Sequence, residues 1–240
     1  MPWLVLLLMV TVGKTSTQVQ PSKGLISQLT PHVWIYQGNL KLTNGKSFSY
    51  NGSLIISGKD VALIDLPASQ QDFEHLMRWI NQHELVLQYA VPLHWHHDSS
   101  GTINEAKQAG ATIIALQATA DILKPEKKTP DILFNKELLI DLNGLYIKLK
   151  HHGGGHTIDS VVAWVEEDQT LIAGCLIKGL SFNHLGNIDD AQMGQYAQTI
   201  NSLIDEYPSV HWVVPGHGAA GNKSLLTHNL QMVMDWHKSH

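Results

Sequence analysis

Apolar residues in this chain come in short runs bounded by turn residues, interleaved with amphipathic helical patterns, and the scheme is laid out twice. That rhythm is the tightest constraint on the fold. A strand buries alternate residues and a helix buries a stripe, and each needs a partner layer to bury against. In the first half, residues 32–38, 52–58 and 60–66 read as strands, with Ser57-Gly58-Lys59-Asp60 turning between the last two. Residues 69–83 read as a helix: Phe73, Leu76, Met77 and Ile80 share one face, and Ser69 followed by Asp72 resembles a capping box. Residues 85–93 form a buried strand, 100–110 a short helix stopped at Gly110, and 112–116 a further strand. The second half offers hairpins over 137–150, turning at Asn143-Gly144, and over 160–175. A helix over 190–207, a strand over 210–216 and a closing helix over 223–239 follow. Two β-rich halves, each followed by helices, predict an α/β protein built as an αβ/βα four-layer sandwich.

Bulk properties narrow the function. A chain of 240 residues, 43% hydrophobic, is long enough for one large core, and a net charge of -5 suggests neither a nucleic-acid groove nor an anionic membrane surface as partner. Histidine is the outlier, 15 residues against a single cysteine, a density that reads as partly metal-directed. The opening "MPWLVLLLMVTVG" is too short to span a bilayer and suits the core of a secretory leader, so residues 1–20 are expected to be a signal peptide and 21–240 one domain. A periplasmic or secreted location follows. A lone thiol in an oxidising compartment is a liability unless something occupies it, and a bound metal would.

Four segments carry the chemistry. In "HWHHD" the alternate residues His94, His96 and Asp98 lie at a strand end and would point the same way, with His97 turned aside. His156 follows three glycines in "HHGGGHTIDS"; His151 and His152 have no comparable geometric case. Cys175 ends a predicted strand in "IAGCLIKG", and His217 lies just past another in "VVPGHG". Loops at strand ends can gather along one edge of a layered fold. Together the four supply six donors, four imidazoles, one carboxylate and one thiolate. Those are zinc's ligands, and six make two sites of three.

Taken in order, "ALIDLP", "HWHHD", "GGGHTIDSVVAW", "AGCLIK", "LGNIDDA", "VVPGHG" and "KSLLTHNL" resemble a metallo-β-lactamase of the di-zinc subclass with a cysteine ligand (subclass B1) over about residues 30–235. The resemblance implies the metallo-β-lactamase fold and two zinc ions per chain, the first on His94, His96 and His156 and the second on Asp98, Cys175 and His217. It implies hydrolysis of the β-lactam amide of penicillins, cephalosporins and carbapenems by a zinc-bound hydroxide that Asp98 orients. Lys178 would meet the substrate carboxylate, Asn187 would stand beside the developing oxyanion, and Asp65 would steady the metal ligands from behind. The stretch 42–52 takes the place of a flap, with Phe48 or Tyr50 able to cover an apolar substrate face. Relatives that cleave thioesters, lactones or RNA generally carry an aspartate where Cys175 stands. The chain departs from the family pattern at Leu66, at Leu93 and over Ser99-Ser100-Gly101-Thr102.

The expected partner is therefore a small β-lactam, acted on by a monomer that binds no nucleic acid and, once mature, no membrane. A hydrolase of the same fold acting on a thioester, lactone or ester is the alternative. A non-catalytic zinc-binding protein, to which surplus histidines such as those of the "WHKSH" tail would belong, is the third reading.

Overall fold

Alternate residues of the first long strand go to different layers: Val33 and Ile35 enter one apolar cluster, Trp34 and Tyr36 another. Both faces are therefore covered, and the same division repeats across the sheet. The structure is a computed structural model that describes residues 26–41, 45 and 47–240; the expected leader lies outside these residues, as do 42–44 and 46.

The first sheet has seven strands in chain order: β1 (Ser27–Gln28), β2 (Val33–Lys41), β3 (Ser47–Ser57), β4 (Asp60–Ile64), β5 (Val86–Val91), β6 (Thr112–Leu116) and β7 (Ile132–Phe134). Pairing is antiparallel from β1 to β4 and parallel from β4 to β7. The crossovers are α1 (Gln70–Gln82), then α2 (His97–Ser100) with α3 (Ile103–Gln108), then α4 (Gln117–Leu123). The second sheet has five strands in the order β12-β11-β10-β9-β8. These are β8 (Glu137–Leu142), β9 (Leu145–His151), β10 (Val161–Val165), β11 (Thr170–Lys178) and β12 (Trp212–His217), with α5 (Met193–Glu206) leading to β12 and α6 (Ser224–Ser239) closing the chain.

Three apolar clusters make four layers. Ile55, Ile64 and Val91 of the first sheet meet Ile147, Leu149, Val161 and Ile172 of the second. Leu54, Val61 and Leu63 face Phe73, Leu76 and Ile80 of α1. Val162, Leu171 and Val213 face Ile200 and Leu203 of α5 and Leu225 and Val233 of α6. This is the expected αβ/βα sandwich.

Several expected elements hold in detail. The Ser69 hydroxyl caps α1 by accepting from the Asp72 N–H at 3.1 Å, and Phe73, Leu76 and Ile80 are buried. Asn143 and Gly144 both take positive φ (52° and 85°), as the tight hairpin between β8 and β9 requires.

Others differ. The expected helix over 100–110 narrows to α3, Ile103–Gln108, and α4 and β7 carry too weak a periodicity to be foreseen. Within the expected flap over 42–52, residues 47–52 are strand and pair with β2. Two cross-strand pairs extend that hairpin, Gly38 with Tyr50 and Tyr36 with Gly52. Each tyrosine ring lies over its glycine partner: a Cβ on Gly38 would stand 2.2 Å from the Tyr50 ring, and one on Gly52 2.2 Å from the Tyr36 ring. Among the described residues no helix is long and apolar enough to cross a membrane.

Candidate metal centre

His94, His96 and Asp98 do converge, but not by strand alternation. The strand β5 ends at Val91, residues 93–96 bend, and Asp98 is the second residue of α2. The Ser99 and Ser100 N–H groups bond the His96 carbonyl at 3.0 and 2.9 Å, closing the turn, and the Leu66 N–H bonds the Ser99 carbonyl at 2.8 Å. A helical turn rather than a pleat thus brings Asp98 back under His94, its Oδ1 3.6 Å from His94 Nε2.

His156 comes from the loop between β9 and β10. Its ring centroid lies 5.3 Å from that of His94 and 4.9 Å from that of His96, and the His94 and His96 centroids are 4.9 Å apart, so the three imidazoles form a closed triangle. His156 Nε2 is 3.1 Å from His96 Nδ1. The far nitrogen of His96, Nε2, donates to the Asp190 carboxylate at 3.0 Å, which turns Nδ1 toward the triangle.

Cys175 does not end its strand, since β11 runs on to Lys178. What turns the thiol toward the site is an irregularity: Gly174 has φ +51°, and the register of β11 against β12 slips on both sides of it. Cys175 Sγ lies 3.3 Å from His217 Nε2 and 3.5 Å from Asp98 Oδ2, and His217 Nε2 is 3.4 Å from that same oxygen. His217 is the last residue of β12 rather than a loop residue, and its Nδ1 donates to the Ser49 carbonyl at 2.8 Å, so Nε2 is the nitrogen that faces Asp98 and Cys175.

Three trios of donor atoms, each within 4.8 Å of one another, result: His94, His96 and Asp98; His94, His156 and Cys175; Asp98, Cys175 and His217. The chemistry of these donors fits a cation. His94 Nε2 is buried with no hydrogen-bond partner. The Asp98–Cys175–His217 trio sets a carboxylate oxygen, a sulfur and an imidazole nitrogen within 3.5 Å of one another. Burial, aided by nearby Lys178, His96 and His217, holds the His94 imidazole down to about 3, with Asp98 opposing; burial also keeps His156 well below the usual range. Both rings are therefore neutral, as ligands must be. Burial works against the Asp98 charge, but His217, His94 and Lys178 outweigh it and hold the carboxyl below the ordinary range. Burial and the Asp98 charge push the Cys175 thiol well up, so a thiolate there needs a positive partner.

Behind the donors, Asp65 sits in the left-handed region at φ 56° and is 2% exposed. Its Oδ1 accepts from the Leu93 N–H at 3.1 Å and from the Ser99 hydroxyl, and Tyr36 donates to its carbonyl at 2.7 Å. Burial raises the Asp65 carboxyl to about 7. Ser99 Oγ in turn accepts from the Leu93 and His94 N–H groups at 2.9 and 3.2 Å.

Lys178 is buried, and its backbone is fixed by Asn229 of α6 through two bonds of 2.8 Å. Among the described residues its ammonium pairs with no carboxylate. Asn187 is exposed, and its Oδ1 accepts from the Asp189 N–H at 3.1 Å. Phe48 is 36% exposed, with its ring edge-on to His217 at 5.3 Å. Tyr50 departs from expectation. It is 1% exposed, and its hydroxyl accepts from the Ala68 N–H at 2.7 Å and donates to Asp72, so it cannot cover a substrate; Phe48 alone has that freedom.

His97 is exposed, His151 Nδ1 bonds the Ser160 carbonyl, and His152 bonds Ser202 and Tyr207; none of the three belongs to the donor trios. Sequence reasoning missed Asp190, Ser99, Asn51 and the Ser49 carbonyl. Asn51 Nδ2 bonds the Pro215 and Gly218 carbonyls, at 2.8 and 2.7 Å, which flank His217. Asp190 stood within the quoted "LGNIDDA"; a backbone carbonyl leaves no signal at all. A cavity of about 300 Å³ between β2 and α1, lined by Tyr36, Gln37, Arg78 and Trp79 among others, holds none of the six donors.

No family model matches the chain. Curated relatives do. A metallo-β-lactamase type 2 of Bacteroides fragilis is 30% identical over 217 residues, covering 89% of this chain and 87% of the relative. Metallo-β-lactamase IND-1 of Chryseobacterium indologenes is 29% identical over 191 residues, covering 79% and 80%. Among solved structures, a metallo-β-lactamase from Pontibacter korlensis aligns with a TM-score of 0.84 at 29% identity, over 88% of this chain and 99% of that one. The DIM-1 metallo-β-lactamase aligns with a TM-score of 0.84 at 27% identity, over 90% and 99%.

Proposed function

The chain belongs to the metallo-β-lactamase family, and from that premise we propose that it is a zinc-dependent hydrolase that opens the β-lactam amide of penicillins and cephalosporins, with carbapenems expected among its substrates. One observation carries the reading: six donor side chains from four separate segments meet at one edge of the sandwich, with a buried imidazole nitrogen left without a protein partner. His94, His96 and His156 would hold one zinc and Asp98, Cys175 and His217 a second. Zinc bound there supplies a Lewis acid and a hydroxide nucleophile at neutral pH.

The chain's own residues do the rest. Asp98 turns Oδ1 to His94 and Oδ2 to the Cys175–His217 pair, so its carboxylate stands at the boundary of the two donor sets, where it can orient an attacking nucleophile by accepting its proton. The Lys178 ammonium, on a backbone held at the strand end by Asn229, binds the substrate carboxylate and sets the lactam ring over the donors. Asn187 has its Oδ1 engaged by Asp189, which leaves its amide N–H groups to donate to the lactam carbonyl oxygen as charge develops there. Phe48 closes over an apolar substrate face and excludes water. A serine nucleophile is not needed.

Hydrolysis of a chromogenic cephalosporin by the purified protein, with and without chelator, tests the reaction. Zinc-dependent ring opening is expected; a fully zinc-loaded protein that leaves the lactam intact would refute it. Metal analysis is expected to give about two zincs per chain, and about one in Cys175→Ser. We also read the protein as exported, because its apolar opening run suits a leader, and as a monomer; N-terminal sequencing checks the first point and sedimentation the second.

A further inference from the structure

The triple-glycine arc that carries His156 has no regular partner strand, yet three of its six backbone polar groups are bonded by α5 or its N-cap residue Gln192. The Gly154 N–H donates to Gln195 Oε1 at 3.2 Å, and the Gly154 carbonyl accepts from the Thr199 hydroxyl at 2.7 Å. The Gly155 carbonyl accepts from the Gln192 N–H at 2.8 Å. The fit is close: a Cβ on Gly153 would stand 2.8 Å from Thr199 Oγ1, and one on Gly155 would stand 2.2 Å from Leu176.

At the foot of the arc lies a polar residue that the reaction does not use. The side chain of His152 is 3% exposed, and both its ring nitrogens are bonded, Nδ1 to Ser202 Oγ at 3.1 Å and Nε2 to the Tyr207 hydroxyl at 3.3 Å. The directions of these bonds can be assigned. The Ser202 hydroxyl donates to the Thr199 carbonyl at 2.7 Å, so toward His152 it must accept. His152 Nδ1 is therefore the protonated nitrogen, and Nε2 accepts from the Tyr207 hydroxyl. The result is a one-way chain of bonds, Tyr207 to His152 to Ser202 to the Thr199 carbonyl, while the Thr199 side chain donates separately to the arc. It requires a neutral imidazole. Burial provides one, with Lys150 and Lys148 adding to it against Glu206, and holds the ring down to about 4.

We propose that His152 is a positioning residue for His156: clamped between Ser202 and Tyr207, it fixes the foot of the glycine arc on α5 and so sets where the His156 imidazole stands against His94 and His96. The role rests on the reading of His156 as a zinc-holding residue. It differs from a metal ligand's role, because His152 faces α5 rather than the donors. It also gives α5 a function at the site. The lead-in to the same helix supplies Asp190 to His96, so two of the three clustered imidazoles are oriented from α5 and the residues just before it.

The test is made on the full-length protein and reads metal binding rather than turnover. Zinc affinity is measured by competition with a chromophoric chelator, and the Co(II)-substituted protein is followed by its absorption bands. The thiolate-to-metal charge-transfer band reports the Cys175 position, and the ligand-field bands report the histidine position. In His152→Ala we expect zinc affinity at the histidine position to fall about tenfold and the ligand-field bands to shift, with the charge-transfer band retained. His152→Asn, which keeps a donor near the place of Nδ1, should recover part of the loss. Ser202→Ala, which removes the acceptor and leaves the imidazole in place, should show the same pattern more weakly and serves if His152→Ala does not fold. Unchanged affinity and bands in these variants overturn the proposal, as does an equal loss at both positions, which a general loosening of the fold would give. Wild-type protein that takes up no zinc overturns the functional reading together with this one. Wild-type protein that binds zinc, with variants indistinguishable from it, overturns this one alone.

Discussion

Ser99 Oγ stands where three buried groups meet, donating to the Asp65 carboxylate and accepting from the Leu93 and His94 N–H groups. It appears in the sequence only as a departure from the family pattern, yet it closes the turn that brings Asp98 under His94. Ser99→Ala removes the hydroxyl donor to Asp65 and leaves the His94 N–H without its acceptor. Burial makes such loss expensive, and the metal-free protein should be destabilised by about 1–3 kcal/mol in urea unfolding. An unchanged midpoint would show that the turn does not depend on the hydroxyl. Gly174 sits opposite: its φ is +51° and a Cβ there would lie 2.8 Å from Asp65 Oδ2. Gly174→Ala should therefore lower thiol-dependent cobalt binding by displacing Cys175, measured by the intensity of the charge-transfer band.

Among the elements, α1 and α5 secure themselves differently. The first depends on a local cap, and Ser69→Ala should cost about 1 kcal/mol in thermal or urea unfolding, with no change in metal content. The second is strapped to β9 at its far end, where Glu206 accepts from Lys148 at 2.8 Å and from Lys150 at 2.5 Å. Partial burial raises the Glu206 carboxyl, but these two ammonium groups outweigh it and hold it at about 2, below its ordinary 4.5. A depressed carboxylate stabilises the fold above its unfolded value and loses that contribution as pH falls from about 4.5 through 2. Because the cluster lies at the surface and is partly exposed, its worth is modest, about 0.5 kcal/mol. Urea midpoints of metal-free protein between pH 5 and pH 2 should fall less steeply in Glu206→Gln than in the wild type; parallel curves would remove the strap from the account. The helices and strands themselves were mostly legible. Those with strong periodicity, such as α1 and the hairpin turning at Asn143-Gly144, stand where expected. α4 and β7 escaped notice because each is too short for a period to register, and β7 is held as an edge strand by pairing with β6.

For the whole molecule, the donors come from both sheets, so a bound metal ties the two halves of the sandwich together. Zinc held at a thousand times its dissociation constant adds about 4 kcal/mol of stability, and chelation should lower Tm on the order of 10 °C. A Tm indifferent to chelator would mean that the donors do not bind zinc tightly. The sequence by itself determined the layer architecture, through apolar periodicity, and named the six donors, through unusual residue types at motif positions. Only the tertiary structure decided how they meet. Strand alternation was the wrong reason for His94, His96 and Asp98, which a helical turn brings together. Tyr50, equal to Phe48 on paper, is buried beneath the hairpin by the Ala68 N–H and Asp72. The partners that aim the imidazoles come from far along the chain, Asp190 to His96 across 94 residues and the Ser49 carbonyl to His217 across 168. Periodicity is a property of one segment, whereas ring orientation depends on which segments the packed sheets set side by side, and a backbone carbonyl has no residue identity by which a sequence could announce it.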